Sequence, residues 1–79
     1  MRVRLRVGRA YMLSGLQSAV WDRPHPRFGT PDHVAAVYLG HVQGTRRWHI
    51  FEVWADSEEQ GVLVMNDDDI AKVQIGAMN

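Results

Sequence analysis

The sequence predicts an all-β fold, a small barrel of five or six short antiparallel strands with a one-turn helix before the last strand. Two stretches carry this prediction. Residues 61–76 read as strand, single helical turn and strand, a unit that closes small barrels. Residues 34–54 hold two runs of branched and aromatic side chains around a glycine, which is typical of a β-hairpin. With 79 residues, the chain has room for a single domain, residues 1–79.

The N-terminal segment favours two strands. Arginine alternates with valine or leucine over residues 2–7, the period of a strand with one apolar face. Gly8 breaks this strand, and residues 9–14 predict a second one with Tyr11 and Leu13 on one side.

A helix over residues 9–21 is the alternative for this region. It is suggested by apolar residues three and four apart, at Leu13, Leu16 and Val20. Ser14-Gly15 in the middle disfavours that helix and indicates a turn that leads into a strand over residues 16–21.

Residues 22–33 predict a long, stiff loop, because they contain all three prolines of the chain. Loops of this length in so small a domain are often functional. Arg23, His25, Arg27 and Phe28 make this loop a candidate contact surface.

The central hairpin is predicted to pair residues 34–43 with residues 46–54 through a two-residue turn at Gly44-Thr45. This register sets Tyr38 near Phe51 and Leu39 near Ile50. One predicted face holds Val37, Leu39, Trp48, Ile50 and Trp54, and the other holds Val34, Ala36, Tyr38, Val42, Phe51 and Val53. A small barrel buries one such face fully, so the other is expected to meet the long loop, another strand or a partner.

The C-terminal unit follows a polar connector at residues 56–60. The apolar run at residues 62–65 predicts a buried strand, and Asn66 and Asp67 are suited to cap one helical turn. Ile70 is expected to enter the core, and residues 72–75 alternate like a strand with one wet face. The predicted core of the whole domain is Val7, Leu13, Val37, Leu39, Ile50, Val53, Val64, Ile70 and Val73.

This order of elements resembles the SH3-like small barrel, and the resemblance covers most of the chain. Peptide-binding SH3 domains carry an Ala-Leu-Tyr-Asp-Tyr type motif, where this chain has residues 9–13 instead. Plasmid-borne type II dihydrofolate reductases are similar in length and plan, but their Gln-Ile-Tyr segment is replaced here by residues 62–65. The resemblance therefore implies a fold without proline-peptide recognition or reductase activity.

Charge is sorted along the chain although the net charge is zero. Residues 1–51 sum to +6 and residues 52–79 to −6. Neutralisation between neighbouring strands explains this pattern, and a basic face for phosphates or an acidic protein is the functional alternative. The chain has no cysteine, no apolar run of membrane-spanning length and no secretory signal pattern, so we expect a cytoplasmic protein.

Catalytic and metal-binding patterns are sparse. Histidine recurs every eight residues, at His25, His33, His41 and His49, without the tight paired spacing of zinc sites. His41 and His49 are expected to approach each other across the hairpin as ordinary polar residues. The run Asp67, Asp68, Asp69 lacks the ligand spacing of a calcium loop and is explained by capping. We therefore expect no cofactor, no metal and no catalytic residue.

The sequence instead predicts a non-enzymatic interaction module. Its predicted binding residues are Trp21, Arg23, His25, Arg27, Phe28, Arg46, Arg47 and Trp48, since tryptophan and arginine dominate interface energetics. A protein partner is the first expectation, and single-stranded nucleic acid bound by stacking and guanidinium groups is the second. An oligomeric, pore-type enzyme is the third, and self-association is expected because two apolar hairpin faces exceed one small core. The chain also looks like the small proteins of phages, plasmids and gene cassettes, some of which inhibit host complexes.

Overall fold

The computed structural model describes residues 4–16, 31–44, 47–55 and 58–78. They form an antiparallel sheet with the strand order β4-β3-β2-β1-β5. The elements are β1 (Ala10–Ser14), β2 (His33–His41), β3 (Trp48–Ala55), β4 (Glu58–Asn66), α1 (Asp67–Lys72) and β5 (Gln74–Ala77). The predicted all-β class with one short helix before the last strand is confirmed. Closure of the sheet into a barrel stays a prediction.

The core lies on one side of the sheet, which we call the inner face. Alternate residues of each strand point to it because successive side chains of a strand face opposite ways. Its buried side chains are Tyr11, Leu13, Val34, Ala36, Tyr38, Phe51, Val53, Leu63 and Met65, and Leu16, Ile70 and Val73 complete the core. Leu13, Val53, Ile70 and Val73 were predicted to be core residues, and the structure confirms these four.

Helix α1 begins with a capping box. The Asn66 side-chain oxygen accepts a hydrogen bond from the Asp69 N–H at 2.8 Å, and Asp69 Oδ2 accepts one from the Asn66 N–H at 3.4 Å. These two bonds satisfy donors that a helix start leaves unpaired. Ile70 is then buried, at 8% exposure, so the predicted cap and the predicted core contact are both confirmed.

The β2–β3 hairpin has the predicted pairing of Tyr38 with Phe51, but its register then shifts. Leu39 is an extra residue in a β-bulge, and Gly40 lies opposite Ile50 in its place. Gly40 has φ of +110°, which favours glycine at this point of the strand. The predicted core position of Leu39 is therefore wrong: its side chain is 42% exposed.

The predicted two-residue turn at Gly44-Thr45 lies partly outside the described residues, at Thr45. Strand pairing ends at His41 and His49, and the Val42 N–H donates to the Trp48 carbonyl at 2.9 Å. Val42 and Gln43, which were predicted to belong to the first strand of the hairpin, therefore lie outside β2.

The segment before β1 is a turn, so the predicted strand over residues 2–7 is wrong for its described part. The Arg9 N–H donates to the Arg6 carbonyl at 3.1 Å, and Gly8 has φ of +85°. The Gly8 N–H donates to the Tyr38 carbonyl and the Tyr38 N–H to the Arg9 carbonyl, at 2.8 and 3.0 Å. Val7 lies at the corner of this turn and is 70% exposed, although it was predicted to be in the core.

The strand predicted over residues 9–14 is confirmed as β1, and the alternative helix over residues 9–21 is wrong at residues 10–14. The strand predicted over residues 16–21 lies outside the described residues except for Leu16. Leu16 is buried, and its N–H donates to the Asp32 carbonyl at 3.0 Å.

Strand β4 starts earlier and is less buried than predicted. Residues 58–60, predicted to be part of a polar connector, belong to the strand. The run at residues 62–65 is not buried throughout, because Val62 and Val64 face away from the core and are 45% and 43% exposed. The predicted core position of Val64 is therefore wrong, and Val37 and Ile50 are only half-buried.

Removal of the helix cap provides a test of this fold. We expect Asn66→Ala to lower the free energy of unfolding by about 1 kcal/mol, because the Asp69 N–H loses its acceptor. Asn66→Ser retains an acceptor and should recover most of that loss. Urea unfolding of the two variants checks this, and equal stability of both variants would contradict the capping role.

Candidate functional site

The structure describes two of the predicted binding residues. Arg47 and Trp48 are both exposed, and Trp48 begins β3 opposite Asn66. The other six lie outside the described residues: Trp21, Arg23, His25, Arg27, Phe28 and Arg46. Their assignment to a binding surface stays a prediction.

A large apolar surface covers the side of the sheet opposite the core. We call it the outer apolar face, and it consists of Val37, Leu39, Trp48, Ile50, Trp54, Val62 and Val64. Val37 and Ile50 are half-buried, and the other five are exposed by 37 to 45%. The first five of these residues were grouped on one hairpin face from the sequence, and the structure confirms that grouping.

The residues of the outer apolar face lie on three neighbouring strands, β2, β3 and β4. Ile50 lies opposite Val64, and Glu52 lies between Val37 and Val62. Neighbouring strands are about 4.8 Å apart and a strand rises about 3.3 Å per residue, so the face spans about 10 Å by about 20 Å. The grouping of these residues on one side of the sheet distinguishes them from single exposed apolar residues, which are normal on any surface.

The carboxylates of this face lie on β3 and β4, and exposed Arg47 directly precedes Trp48 at its other end. Glu52 is half-buried at its centre, and its Oε1 accepts a hydrogen bond from Trp54 Nε1–H at 2.8 Å. Glu58 and Glu59 lie opposite Ala55 and Trp54 on the neighbouring strand. Strands β2, β3 and β4 contain no lysine or arginine. The face is therefore apolar with an acidic centre and an acidic edge.

A cavity of about 330 Å³ lies at the Trp54 end of the outer apolar face. Trp54, Ala35, Val53 and Gln60 contribute to its lining, together with Pro31 before β2. Such a concavity beside an exposed tryptophan is the kind of place where an interface takes up an anchoring side chain.

A chain of polar side chains lies at the other end of the hairpin. The Tyr38 hydroxyl is 2.8 Å from His49 Nδ1, and His49 Nε2 is 2.7 Å from Asp67 Oδ1. Since a carboxylate only accepts, Nε2 carries a proton, and in the neutral ring Nδ1 then accepts the Tyr38 O–H. This network joins β2, β3 and the start of α1.

The predicted approach of His41 and His49 is confirmed, with ring centroids 4.6 Å apart. They border a cavity of about 260 Å³ together with Arg4, Tyr38 and Asp67. Within the described ranges, no three histidine or carboxylate side chains are grouped so that they could hold a metal ion.

The Tyr38 phenol of this network is held in its protonated form. Burial, the Asp67 carboxylate and Tyr11 all raise the pKa of the Tyr38 phenol, in that order of importance. A phenol held in its protonated form donates a hydrogen bond and is a poor nucleophile. The network therefore holds the His49 ring between Tyr38 and Asp67.

Trp48 is the one residue of the outer apolar face that was among the predicted binding residues. Glu52, at the centre of the face, and Val62 and Val64 were not assigned to it from the sequence. The period of two could have placed Glu52 on this face, since its neighbours Phe51 and Val53 point to the core. Val62 and Val64 were not assigned to an exposed face because the apolar run at residues 62–65 predicted a buried strand.

Comparisons with known proteins gave no match, so the site is interpreted from its geometry. No family model matches the sequence, and neither curated proteins nor solved structures gave a match. Among the described residues, no helix has the length and apolar character needed to cross a membrane.

The polar network predicts an alkaline dependence of stability. Because the pKa of Tyr38 is raised on folding, the folded state holds this proton more tightly than the unfolded state. The corresponding stability is fully present below about pH 10 and is lost as pH rises through the folded pKa. We expect Tyr38→Phe to be about 1 to 2 kcal/mol less stable at pH 8 and to lose less further stability above pH 10. Urea unfolding across this range checks the prediction, and parallel pH profiles for the two proteins would contradict it.

Proposed function

We propose that the chain is a non-enzymatic protein-interaction module that binds a partner protein on the outer apolar face. The observation that carries this proposal is the set of five exposed apolar side chains on neighbouring strands of one sheet, Leu39, Trp48, Trp54, Val62 and Val64. Apolar patches of this kind on small proteins are typical of interaction surfaces. Tryptophan is also among the residues that contribute most to binding energy in interfaces.

The partner is expected to combine an apolar surface with a basic side chain. An apolar anchor of the partner would fill the cavity beside Trp54. A lysine or arginine would pair with Glu52, which is half-buried and would lose its remaining contact with water on docking. Glu58 and Glu59 at the edge add attraction for the same charge and favour rapid association.

Charge favours a different protein over a second copy of this chain. Two copies packed face to face would bring their Glu52 side chains together near the centre, where strands β2, β3 and β4 supply no lysine or arginine. Exposed Arg47 lies at the Trp48 end of the face, five residues from Glu52. Like charges in a desolvated interface are unfavourable. Self-association through this face would appear in the crosslinking experiment as a crosslink to a second copy of the chain instead of a different protein.

Nucleic acid is a poor occupant of the same face. The phosphates of a single strand would lie against Glu52, Glu58 and Glu59, although Trp48 and Trp54 offer rings for stacking. The protein partner is therefore the function that we favour. A module of this kind, like the small phage and plasmid proteins considered from the sequence, would act by occupying a surface of a larger complex.

Site-specific photo-crosslinking in the source cell tests the proposal. A photoreactive amino acid in place of Val62 should give one defined crosslink to another protein, and the same amino acid in place of exposed Ala71 on α1 should not. Glu52→Gln retains an acceptor for Trp54 Nε1–H and removes the charge. We expect it to weaken the crosslink at Val62 by about tenfold or more, because a buried charge pair is worth about 2 kcal/mol or more.

Asp68→Asn is the matched control, since it removes one carboxylate charge on α1 and should leave the crosslink unchanged. Three results would contradict the proposal: crosslinks from Ala71 but not from Val62, a crosslink only to a second copy, or a crosslink that is insensitive to Glu52→Gln.

A further inference from the structure

A second concave site lies away from the outer apolar face, between the turn before β1 and the end of β5. Its volume is about 250 Å³, and it is lined by Arg4, Arg6 and Arg9 together with Ala10, Tyr11 and Met78. All three arginines are exposed, and within the described part of the chain no carboxylate forms an ion pair with them. We call this site the arginine cavity.

The backbone around the arginine cavity is held by local hydrogen bonds. Arg6 and Arg9 are the first and last residues of a β-turn, closed by the 3.1 Å bond from the Arg9 N–H to the Arg6 carbonyl. Gly8, the third residue of this turn, has the positive φ that a type II turn requires. The turn thus presents two guanidinium groups from its two ends.

Tyr11 connects this segment to the core. Its hydroxyl accepts a hydrogen bond from the Arg6 N–H at 2.8 Å and donates one to the Arg4 carbonyl at 3.2 Å. The Tyr11 side chain is 3% exposed, so a buried residue sets the position of both arginine backbones. The Met78 N–H donates to the Ala10 carbonyl at 3.0 Å and holds the opposite wall in place.

This arrangement concentrates positive charge around one cavity. Arginine stays protonated at all physiological pH values, so the three groups repel one another unless an anion lies between them. The planar guanidinium group forms paired hydrogen bonds with phosphate oxygens, and several such groups can surround one phosphate. The apolar wall at Ala10 and Met78 offers contact for an organic group attached to that anion.

We propose that the arginine cavity binds a small phosphate monoester, with the phosphate held by Arg4, Arg6 and Arg9. The volume exceeds that of a phosphate alone and leaves room for part of its organic group. A nucleic-acid strand fits less well, because Tyr11 is buried and the described lining offers no exposed aromatic ring for stacking. The chain's zero net charge also gives no general attraction for a long polyanion.

Titration calorimetry with the full chain tests this site, with adenosine monophosphate, inorganic phosphate and adenosine as probes. We expect saturable binding of adenosine monophosphate, weaker binding of inorganic phosphate and no binding of adenosine. Arg6→Gln and Arg9→Gln should each reduce the affinity for adenosine monophosphate by about tenfold, the loss of one charge-assisted contact. Arg9→Lys keeps the charge without the paired geometry and should fall between the wild type and Arg9→Gln.

Lys72→Gln is the control, because it removes one positive charge on α1 and should leave the affinity unchanged. The arginine side chains are exposed, so thermal unfolding should show that all variants remain folded.

The proposal is overturned if neither adenosine monophosphate nor inorganic phosphate binds, or if adenosine binds equally well. It is also overturned if Lys72→Gln weakens binding as much as Arg6→Gln and Arg9→Gln do. Arginine-dependent binding of a short single-stranded oligonucleotide in the absence of monoester binding would replace it with a nucleic-acid site.

Discussion

Tyr38 is the residue through which most described parts of the molecule are joined. Its backbone pairs with the turn before β1, its ring packs 5.2 Å from that of Phe51, and its hydroxyl bonds to His49. His49 in turn bonds to Asp67 at the start of α1. One buried residue therefore connects the N-terminal turn, the central hairpin and the helix, through its backbone, its ring and its hydroxyl. The β-bulge begins directly after it.

The second constraint is that a short chain has one core for two apolar sheet faces. Val34, Ala36, Phe51 and Val53 fill that core, and the alternate positions of the same strands are left outside. Burial of a half-exposed tryptophan or valine would be favourable by roughly 25 cal/mol per Å². Under the proposed function, a partner that covers the outer apolar face would gain this free energy, and the carboxylates of the face would favour a basic partner.

Much of the local structure could be predicted because its causes lie close together in sequence. The capping box of α1 needs only Asn66 and Asp69, three residues apart, and β1 follows from alternation over a few positions. The pairing of Tyr38 with Phe51 was within reach because both residues lie in one hairpin. Local patterns of this kind are enough to predict whether a segment forms a helix or a strand.

The failures concern effects that local patterns do not contain. Val7 alternates with arginines like a strand residue, but backbone bonds from Gly8 and Arg9 to Tyr38 set a turn at that point. Leu39 lies on the same face as Val37, as its period predicts, but that face is the exposed one. Val64 belongs to an apolar run, and only its pairing with Ile50 shows which face it occupies. The arginine cavity was missed for the same reason, since β5 forms its wall.

The strand order also bears on how the molecule assembles. Strands β2, β3 and β4 are consecutive in sequence and pair with their immediate neighbours, so little loop-closure entropy opposes them. The β1–β5 ladder instead joins the two ends of the described chain, with Tyr11 opposite Ala77. Contacts between residues so far apart in sequence carry a larger loop-closure cost. The cavity between β1 and the end of β5 is complete only when this ladder has closed, and any ligand held there would stabilise the ladder.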